Sequence, residues 1–223
     1  PAPEETTARV EPAAPFTDEQ AMNFLLICSD SEKIIDFCDI ISVSYAENVI
    51  RVKPVSPELT LDYKKMPYTL SQLFALSSCG AVRDALTDRG MKISRYISVN
   101  ETNFKMIMQK LGPVEILLKN ELRYSVDAIT YSFPAGKQSM AADTLLKYMK
   151  FAAEGDELLA VQAEALAQVL RTHFTAENND RGEDFFSSLI NLVDSDISAF
   201  DYTDNRYALS EFLKGKPPVK VIN

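Results

Sequence analysis

Apolar and polar positions alternate along the chain with two periods, and these predict strands and helices in turn. Short apolar runs bounded by turn-forming residues predict buried strands at residues 23–28, 39–45 and 48–55. The third run alternates so that one of its faces is polar, and Pro54 and Pro57 end it, because proline cannot donate to a strand ladder. Further strands are predicted at residues 95–99, 114–119, 124–133 and 219–222. We expect the pair at 114–119 and 124–133 to form a hairpin.

Between the strands, apolar side chains recur three and four positions apart, which is the spacing of an amphipathic helix. The stretch 68–89 has this spacing and is expected to divide into two helices at Gly80. Other helices are predicted at residues 103–111, 139–151, 157–174, 184–193 and 206–213. Strands interleaved with helices predict an α/β protein, here a three-layer α-β-α sandwich with a central mixed sheet.

Length and composition predict one folded domain behind a short spacer. The chain has 223 residues, 46% of them hydrophobic, which suits a single domain over residues 20–223 with a helical C-terminal extension from about residue 178. Residues 1–19 are rich in proline, threonine and glutamate, so we expect a disordered spacer. Such spacers often join a membrane anchor to an extracellular domain. We therefore expect an anchor or a cleaved signal ahead of Pro1, with an arbitrary chain end as the alternative.

The charge of the chain excludes one class of partner. The net charge is −9, and no run of lysines and arginines occurs. Nucleic-acid binding depends on clustered cations that neutralise phosphates, so we expect no nucleic-acid partner.

The cysteines argue against a disulfide framework and against a zinc site. There are three of them, an odd number, and no Cys-x-x-Cys motif. Cys28 and Cys38 lie inside apolar runs, where cysteine behaves as a small hydrophobic residue. A bridge between these two, across adjacent strands, stays open at this stage.

The segment GKQSMAADTLLKYMKF, residues 136–151, predicts a Gly-Lys-Gln turn followed by a helix that ends in aromatic and basic residues. With the order of other motifs in residues 23–174, it resembles the LytR–CpsA–Psr family of cell-envelope proteins. The other motifs are Ser29-Asp30-Ser31, Asp39 at the start of a strand, residues 55–60 (VSPELT), residues 96–99 (YISV), residues 112–115 (GPVE) and a final helix that carries Gln162.

The resemblance implies a ligand and a compartment. The family joins glycopolymers to peptidoglycan outside the bacterial membrane, from a polyprenyl-pyrophosphate-linked donor that its arginines grip. The implied partners are a polyprenyl phosphate or another lipid chain, or a cell-wall glycopolymer. By position, the implied ligand-binding candidates are Asp30, Asp39, Glu58, Lys137, Gln138, Lys150, Asp156 and Gln162. Lys137 and Gln138 would contact a phosphate or, equally, cap the following helix.

The chain departs from the family pattern at the cations. Glu32 and Glu58 stand where basic residues are expected, the paired arginines after the helix reduce to Lys150, and Val161 replaces an arginine. Pyrophosphate needs guanidinium groups or a metal to neutralise it. The sequence therefore favours a non-catalytic binding or scaffolding relative, with no catalytic residue and no resident cofactor.

Two alternatives stay open. Magnesium held by Asp30, Asp39, Glu58 and Asp156 would restore phosphate binding and make the protein an active phosphotransferase. Alternatively, the apolar stripes would line a channel for a lipid chain that is carried without chemistry.

Overall fold

The structure, a computed structural model, describes residues 22–126 and 128–222, and a mixed β-sheet lies at its centre. In chain order the strands are β1 (Met22–Ser29), β2 (Ile35–Ser44), β3 (Val49–Pro54), β4 (Thr60–Tyr63), β5 (Met66–Thr69), β6 (Arg95–Asn100), β7 (Val114–Leu118), β8 (Leu122–Val126), β9 (Ile129–Phe133), β10 (Gly136–Met140), β11 (Asp194–Ser195) and β12 (Val219–Val221). The spacer predicted at residues 1–19 lies outside the described residues.

Six strands form the central sheet in the order β11-β6-β1-β2-β3-β12. The pairs β1/β6 and β3/β12 are parallel, and the other three pairs are antiparallel. Three two-stranded ribbons, β4–β5, β8–β9 and β7–β10, complete the strands of the described chain. The mixed sheet confirms the predicted fold class.

Helices cover both faces of the sheet. In chain order they are α1 (Leu70–Leu76), α2 (Cys79–Asp88), α3 (Glu101–Leu111), α4 (Ala142–Phe151), α5 (Gly155–His173), α6 (Ala176–Asp180), α7 (Glu183–Ile190) and α8 (Ala199–Lys214). Successive side chains of a strand point to opposite faces. Leu25 and Ile27 of β1 therefore pack with α1 and α2, whereas Cys28 packs in the core that α3, α4 and α5 cover. This division gives the three predicted layers.

The C-terminal part of the chain borders the sheet on both sides. Beyond α6 it contains two helices, α7 and α8, and the short strands β11 and β12 at opposite sheet edges. Asp196 ties this region to β6, because its carboxylate accepts a hydrogen bond from the Tyr96 amide at 2.7 Å and pairs with Arg83. None of the described helices combines the length and apolar character needed to cross a membrane.

The main correction to the sequence prediction concerns residues 136–151. The residues expected to form a turn and the start of a helix form strand β10, and α4 begins only at Ala142. In β10, Gly136 lies opposite Leu118 and Met140 lies opposite Val114, with the last pair buried. Strand β7 supplies the partner for this segment, and local spacing does not reveal that partner.

Three smaller predictions also need correction. The helices of the 68–89 stretch separate at Ser77 and Ser78 rather than at Gly80, because the Ser78 hydroxyl caps α2 by accepting from the Ala81 amide. The expected hairpin of residues 114–119 with 124–133 is wrong: β8 and β9 pair with each other, and β7 pairs with β10. The sequence prediction also missed the hairpin β4–β5, which precedes α1.

Candidate functional site

A polar cleft lies where the neighbouring parallel strands β1 and β6 end. Ser29 and Asn100 are the last residues of these strands and lie opposite each other in the register. Ligands of open α/β sheets bind at the carboxyl ends of strands, in the crevices that loops leave there. The cleft has a volume of about 400 Å³. Its polar lining consists of Ser29, Asp30, Ser31, Lys33, Ser98, Asn100, Asn103, Asn191 and Asp194.

The loop after β1 is shaped by Asp30. Its Oδ1 accepts hydrogen bonds from the backbone amides of Glu32 and Ile34, both at 2.8 Å. This local pattern, in which a side chain satisfies nearby amides, is the reason aspartate favours turns. Asp30 lines the cleft, and part of its hydrogen-bonding capacity serves the turn. Its role in binding a ligand stays a prediction.

The opposite wall is shaped by Asn100 at the junction of β6 and α3. Its side chain accepts a hydrogen bond from the Asn103 amide at 2.8 Å and so caps the helix. Asn103 itself lines the cleft. Sequence reasoning missed both residues, although asparagine directly before an apolar helical stripe is a recognisable N-cap signal.

Lys150 lies beside this cleft in an internal ion-pair cluster. Its Nζ is 2.7 Å from Asp36 Oδ1 and also pairs with Glu101, the residue that follows Asn100. The side chain of Lys150 is 23% exposed, whereas that of Asp36 is only 5% exposed. Burial lowers the pKa of Lys150, but hydrogen bonds to the two carboxylates outweigh it and the pKa is raised. Lys150 is therefore a charged group with two anionic partners of its own.

Asp36 reaches Lys150 because of a β-bulge. Cys28 pairs with Phe37 and Ser29 pairs with Ile35, so Asp36 is the extra residue that has no partner on β1. Burial raises the pKa of Asp36 to about 6 despite the opposing effect of Lys150. Its Oδ2 is buried and has no hydrogen-bond partner. Sequence reasoning missed Asp36, because a bulge depends on the register of two strands.

Gln162 lies next to the ion-pair cluster and bonds to the backbone of two neighbouring segments. This side chain is 3% exposed, and its amide donates to the backbone carbonyls of Asp36, at 2.7 Å, and Met149, at 3.0 Å. It therefore joins α5 to the bulge of β2 and to α4. Of the residues predicted as ligand contacts, Gln162 and Lys150 come together, and both have partners inside the protein.

Asp39 is a buried carboxyl group inside the core. It is fully buried, and neither of its oxygens has a hydrogen-bond partner. On β2 it lies between Phe37 and Ile41, both of which belong to the core under α3, α4 and α5. Burial raises its pKa from 3.8 to about 8, so the group is mostly protonated at neutral pH.

The other predicted site residues lie apart from the Lys150 cluster, and all but the partly buried Gln138 are exposed. Lys137 pairs with Glu115 at 2.7 Å across the β7–β10 ribbon, and its side chain is 66% exposed. Gln138 makes a long hydrogen bond of 3.4 Å to the Ala135 carbonyl, in a strand and not in a helix cap. Glu58 lies in an exposed turn, and Asp156 is exposed in the first turn of α5.

The metal-binding alternative required four acidic residues to converge. Within residues 22–126 and 128–222, no group of three or more histidine, cysteine, aspartate or glutamate side chains is arranged to hold a metal ion. Asp39 is buried in the core, whereas Glu58 and Asp156 are on the surface. The proposed set of Asp30, Asp39, Glu58 and Asp156 is therefore not assembled in this structure.

The cysteines are free thiols, and the bridge left open by the sequence is not formed. Cys28 and Cys38 are on adjacent antiparallel strands, but they point to opposite faces of the sheet. Cys28 packs in the core under α3, α4 and α5, and Cys38 packs in the core under α1 and α2. A disulfide needs its two Cβ atoms on the same side, about 3.8 Å apart, so this geometry forbids the bridge.

The apolar positions offered as a lipid channel are occupied by packed side chains. Leu145, Met149 and Ala163 are completely buried, and Phe37 of the sheet packs in the same core cluster. Its ring meets Phe104 edge-on at a centroid distance of 5.6 Å. These contacts are those of a filled core. Binding of a lipid chain stays a prediction.

The fold defines a class of α/β protein with known structural relatives. No protein-family model matches the chain, and no curated protein sequence matches it. A candidate transcription regulator from Eubacterium siraeum has a similar structure, with a TM-score of 0.81 and 17% identity over 98% of this chain and 89% of that chain.

Two further solved structures with a similar fold are TagV and TagT. TagV from B. subtilis has a TM-score of 0.72 and 12% identity, over 93% of this chain and 86% of that chain. TagT bound to LI-WTA has a TM-score of 0.67 and 12% identity, over 96% of this chain and 81% of that chain. TagV and TagT are LytR–CpsA–Psr family proteins. At these identities the likeness establishes the fold, and it agrees with the resemblance found in the sequence.

Proposed function

We propose that the protein is an extracytoplasmic, cell-envelope domain that binds a cell-wall glycopolymer without transferring it. The observation that carries the proposal is the pairing of Lys150 with Asp36 and Glu101. Lys150 is the basic residue that remains at the end of the family-like motif. Because two carboxylates already neutralise it, it is a poor partner for a pyrophosphate, whose charge needs unpaired cations.

The cleft at the ends of β1 and β6 supports binding through hydroxyl groups. Besides the charged groups of Asp30, Lys33 and Asp194, half of its lining residues are serine or asparagine, which both donate and accept hydrogen bonds. Such groups match the hydroxyls of a sugar better than they match a phosphate. The structural relative TagT, solved with LI-WTA, supports a glycopolymer as the ligand class.

Binding and transfer can be tested separately. Binding of purified cell-wall glycopolymer is measured by calorimetry with the wild type, with Asn103→Ala in the cleft and with Gln109→Ala as an exposed control on the same helix. We expect saturable binding that Asn103→Ala weakens about tenfold, in line with the loss of a buried hydrogen bond, and that Gln109→Ala leaves unchanged. Equal binding by all three proteins, or no binding, would refute the proposed site.

Transfer is measured as the release of polyprenyl monophosphate from a polyprenyl-pyrophosphate-linked donor, with peptidoglycan present as the acceptor. We expect release at the level of a buffer blank, with and without magnesium. Turnover above the blank would refute the non-catalytic part of the proposal.

A second candidate function is phosphotransfer with altered ligands. One observation favours it: Asp39 and Asp36 have buried carboxyl oxygens without hydrogen-bond partners. Unsatisfied buried oxygens are unusual and are found at sites that bind ions or substrates. This candidate predicts that magnesium raises the melting temperature of the wild type and that Asp36→Ala or Asp39→Ala abolishes a measurable turnover. It fails if magnesium leaves the melting temperature unchanged.

A further inference from the structure

Three strongly exposed apolar side chains lie on one side of the molecule, around the hairpin β4–β5. Ile34 is 61% exposed, Met66 is 57% exposed and Leu76 is 76% exposed. Single exposed apolar residues are ordinary on protein surfaces, but neighbouring ones mark interaction sites. These three come from separate parts of the chain: the β1–β2 loop, β5 and the end of α1. We call this region the hairpin face.

The contacts of the hairpin face show that its parts adjoin. Met66 and Leu76 line the same shallow groove of about 250 Å³, together with Tyr63 and Tyr68. Lys33 Nζ lies 3.5 Å from the carbonyl oxygen of Ser77, the residue after Leu76. This contact brings the β1–β2 loop, with Ile34 beside Lys33, to the edge of the groove.

Lysines occupy the tight turns of the hairpin face. Tyr63 pairs with Met66, so Lys64 and Lys65 form a two-residue turn, with φ of 52° and 67°. Lys33 in the β1–β2 loop has a φ of 63°. Turns with positive φ favour asparagine and glycine, because a Cβ atom is crowded there. Lysine stands at all three positions, so these turns place three cationic side chains around the groove.

The charge around the groove is positive, although the chain as a whole is acidic. Lys33, Lys64 and Lys65 are exposed at its rim, in a chain of net charge −9. Asp62 lies opposite Pro67, on the other face of the hairpin from Tyr63 and Met66. Glu32, in the β1–β2 loop, is a nearby carboxylate. Screening at physiological salt acts over about 8 Å, so a surface in contact with this face responds mainly to the local lysines.

We propose that the hairpin face is a contact surface for a bilayer that contains anionic phospholipid. Met66, Leu76 and Ile34 would enter the interfacial region, and the lysines would lie among the headgroups. Tyrosine rings such as Tyr63 and Tyr68 are favoured at this depth, and basic side chains there are attracted to anionic lipid. A protein partner fits less well, because lysine is depleted in protein–protein interfaces. Lys33 also lines the proposed glycopolymer cleft, but the inference rests on the exposed apolar residues and on the lysines of the hairpin turn.

Vesicle sedimentation tests the proposal directly. The wild type is mixed with phosphatidylcholine vesicles that contain or lack phosphatidylglycerol. We expect binding to the anionic vesicles that weakens as salt is raised. Lys64→Gln and Lys65→Gln should each weaken binding about fivefold, which corresponds to about 1 kcal/mol for each lysine near an anionic surface. Lys216→Gln, at another position of positive φ, is the matched control and should bind like the wild type.

The apolar residues are tested at constant charge. Leu76→Ser and Met66→Ser should each weaken vesicle binding by about tenfold or more, which is the expected loss for a long apolar side chain removed from the interface. Phe200→Ser is the control, because Phe200 is 79% exposed on α8, outside the hairpin face. All of these substitutions replace exposed side chains, so we expect each variant to fold. Circular dichroism checks that it does.

Several outcomes would overturn the proposal. One is equal binding to vesicles with and without phosphatidylglycerol, or none to either. Another is complete competition by soluble poly(glycerol phosphate), which would assign the lysines to a free polyanion. A third is concentration-dependent dimerisation that Leu76→Ser abolishes, which would make a second copy of the chain the occupant. Retained vesicle binding by the cleft variant Asn103→Ala, in contrast, is expected and separates this result from the proposed function.

Discussion

Lys150 Nζ lies 2.7 Å from Asp36 Oδ1, so the basic residue at the end of the family-like motif is neutralised inside the protein. The carboxylate comes from a β-bulge far away in sequence, and Glu101 provides a second one at the start of α3. The cluster joins β2, α3 and α4. Its position beside the polar cleft makes it the main reason to expect binding there without phosphate chemistry.

Removal of the cation should destabilise the protein strongly. In Lys150→Met, Asp36 would keep a buried carboxylate without its cation, and breaking a buried pair in this way costs about 3–5 kcal/mol. Since Lys150 is partly exposed, we expect about 2–4 kcal/mol in urea unfolding at neutral pH.

The same helix offers a matched control for that measurement. Lys147 pairs with Asp143 at 2.7 Å, with side chains 48% and 60% exposed, so Lys147→Met should change the free energy of unfolding by about 0.5 kcal/mol or less. The double variant Lys150→Met/Asp36→Asn should recover part of the loss, because the unpaired charge is gone. Equal effects of Lys150→Met and Lys147→Met would contradict the buried-pair interpretation.

Asp39 should make the folded state less stable as the pH rises. The pKa of Asp39 is about 8 in the folded state and 3.8 in the unfolded state. The stability that the protonated group contributes to the folded state is therefore complete below about pH 4 and is lost as the pH rises to about 8. The slope for one proton is about 1.4 kcal/mol per pH unit. Asp39→Asn does not titrate. We therefore expect the free energy of unfolding of Asp39→Asn, minus that of the wild type, to increase steadily from pH 4.5 to 7.5.

Asp36→Asn is the comparison for the pH experiment. The pKa of Asp36 is raised only to about 6, so the stability of this variant relative to wild type should stop increasing above about pH 6. Parallel curves for wild type and Asp39→Asn over the whole range would show that Asp39 is ionised in the folded state at these pH values.

Gln162 should contribute to stability through its two carbonyl partners. Gln162→Leu leaves the buried carbonyl oxygens of Asp36 and Met149 without this donor, which costs about 1–3 kcal/mol. Chemical unfolding measures the loss. Gln109→Leu, on the exposed side of α3, should stay within about 0.5 kcal/mol of wild type. A neutral effect of Gln162→Leu would mean that water replaces the amide.

The thiols should be unreactive in the folded protein. Cys28, Cys38 and Cys79 are each no more than 1% exposed, and burial raises the pKa of all three, so the thiolate is scarce. A thiol reagent should react slowly with the native protein and titrate all three cysteines in denaturant without a reductant. Only one titrating thiol in denaturant would indicate a disulfide, contrary to the sheet geometry.

Much of the fold is encoded in local pattern. The apolar runs predict β1 and β2, because strands buried between two helical layers are apolar on both faces. Strands β3 and β6 are predicted by shorter patterns that keep polar side chains such as Arg51 and Arg95. The stripe of Leu159, Leu166 and Val169 predicts α5, because apolar residues at helical spacing form one face that packs against a core. The interleaving of the two patterns is sufficient for the α/β class.

The errors occur where a segment depends on a distant partner. Residues 136–140 have no strong strand pattern, and they become β10 because β7 supplies backbone hydrogen bonds. The predicted pairing of β7 with the segment of β8 and β9 is wrong for the same reason, because β7 pairs with β10 and β8 pairs with β9. Backbone groups of a strand must find partners in another segment, whereas those of a helix are satisfied locally, so strand pairing is the less predictable of the two.

By itself the sequence determined the layered fold and the acidic charge, and it singled out Lys150 and Gln162 as candidate site residues. Only the tertiary structure decided what those two residues contact. The bulge that presents Asp36, the junction that places Glu101 beside Lys150, and the opposite faces of Cys28 and Cys38 all follow from strand register. Register joins residues that are remote in the chain, and it arises from the packing of the whole sheet rather than from any local pattern.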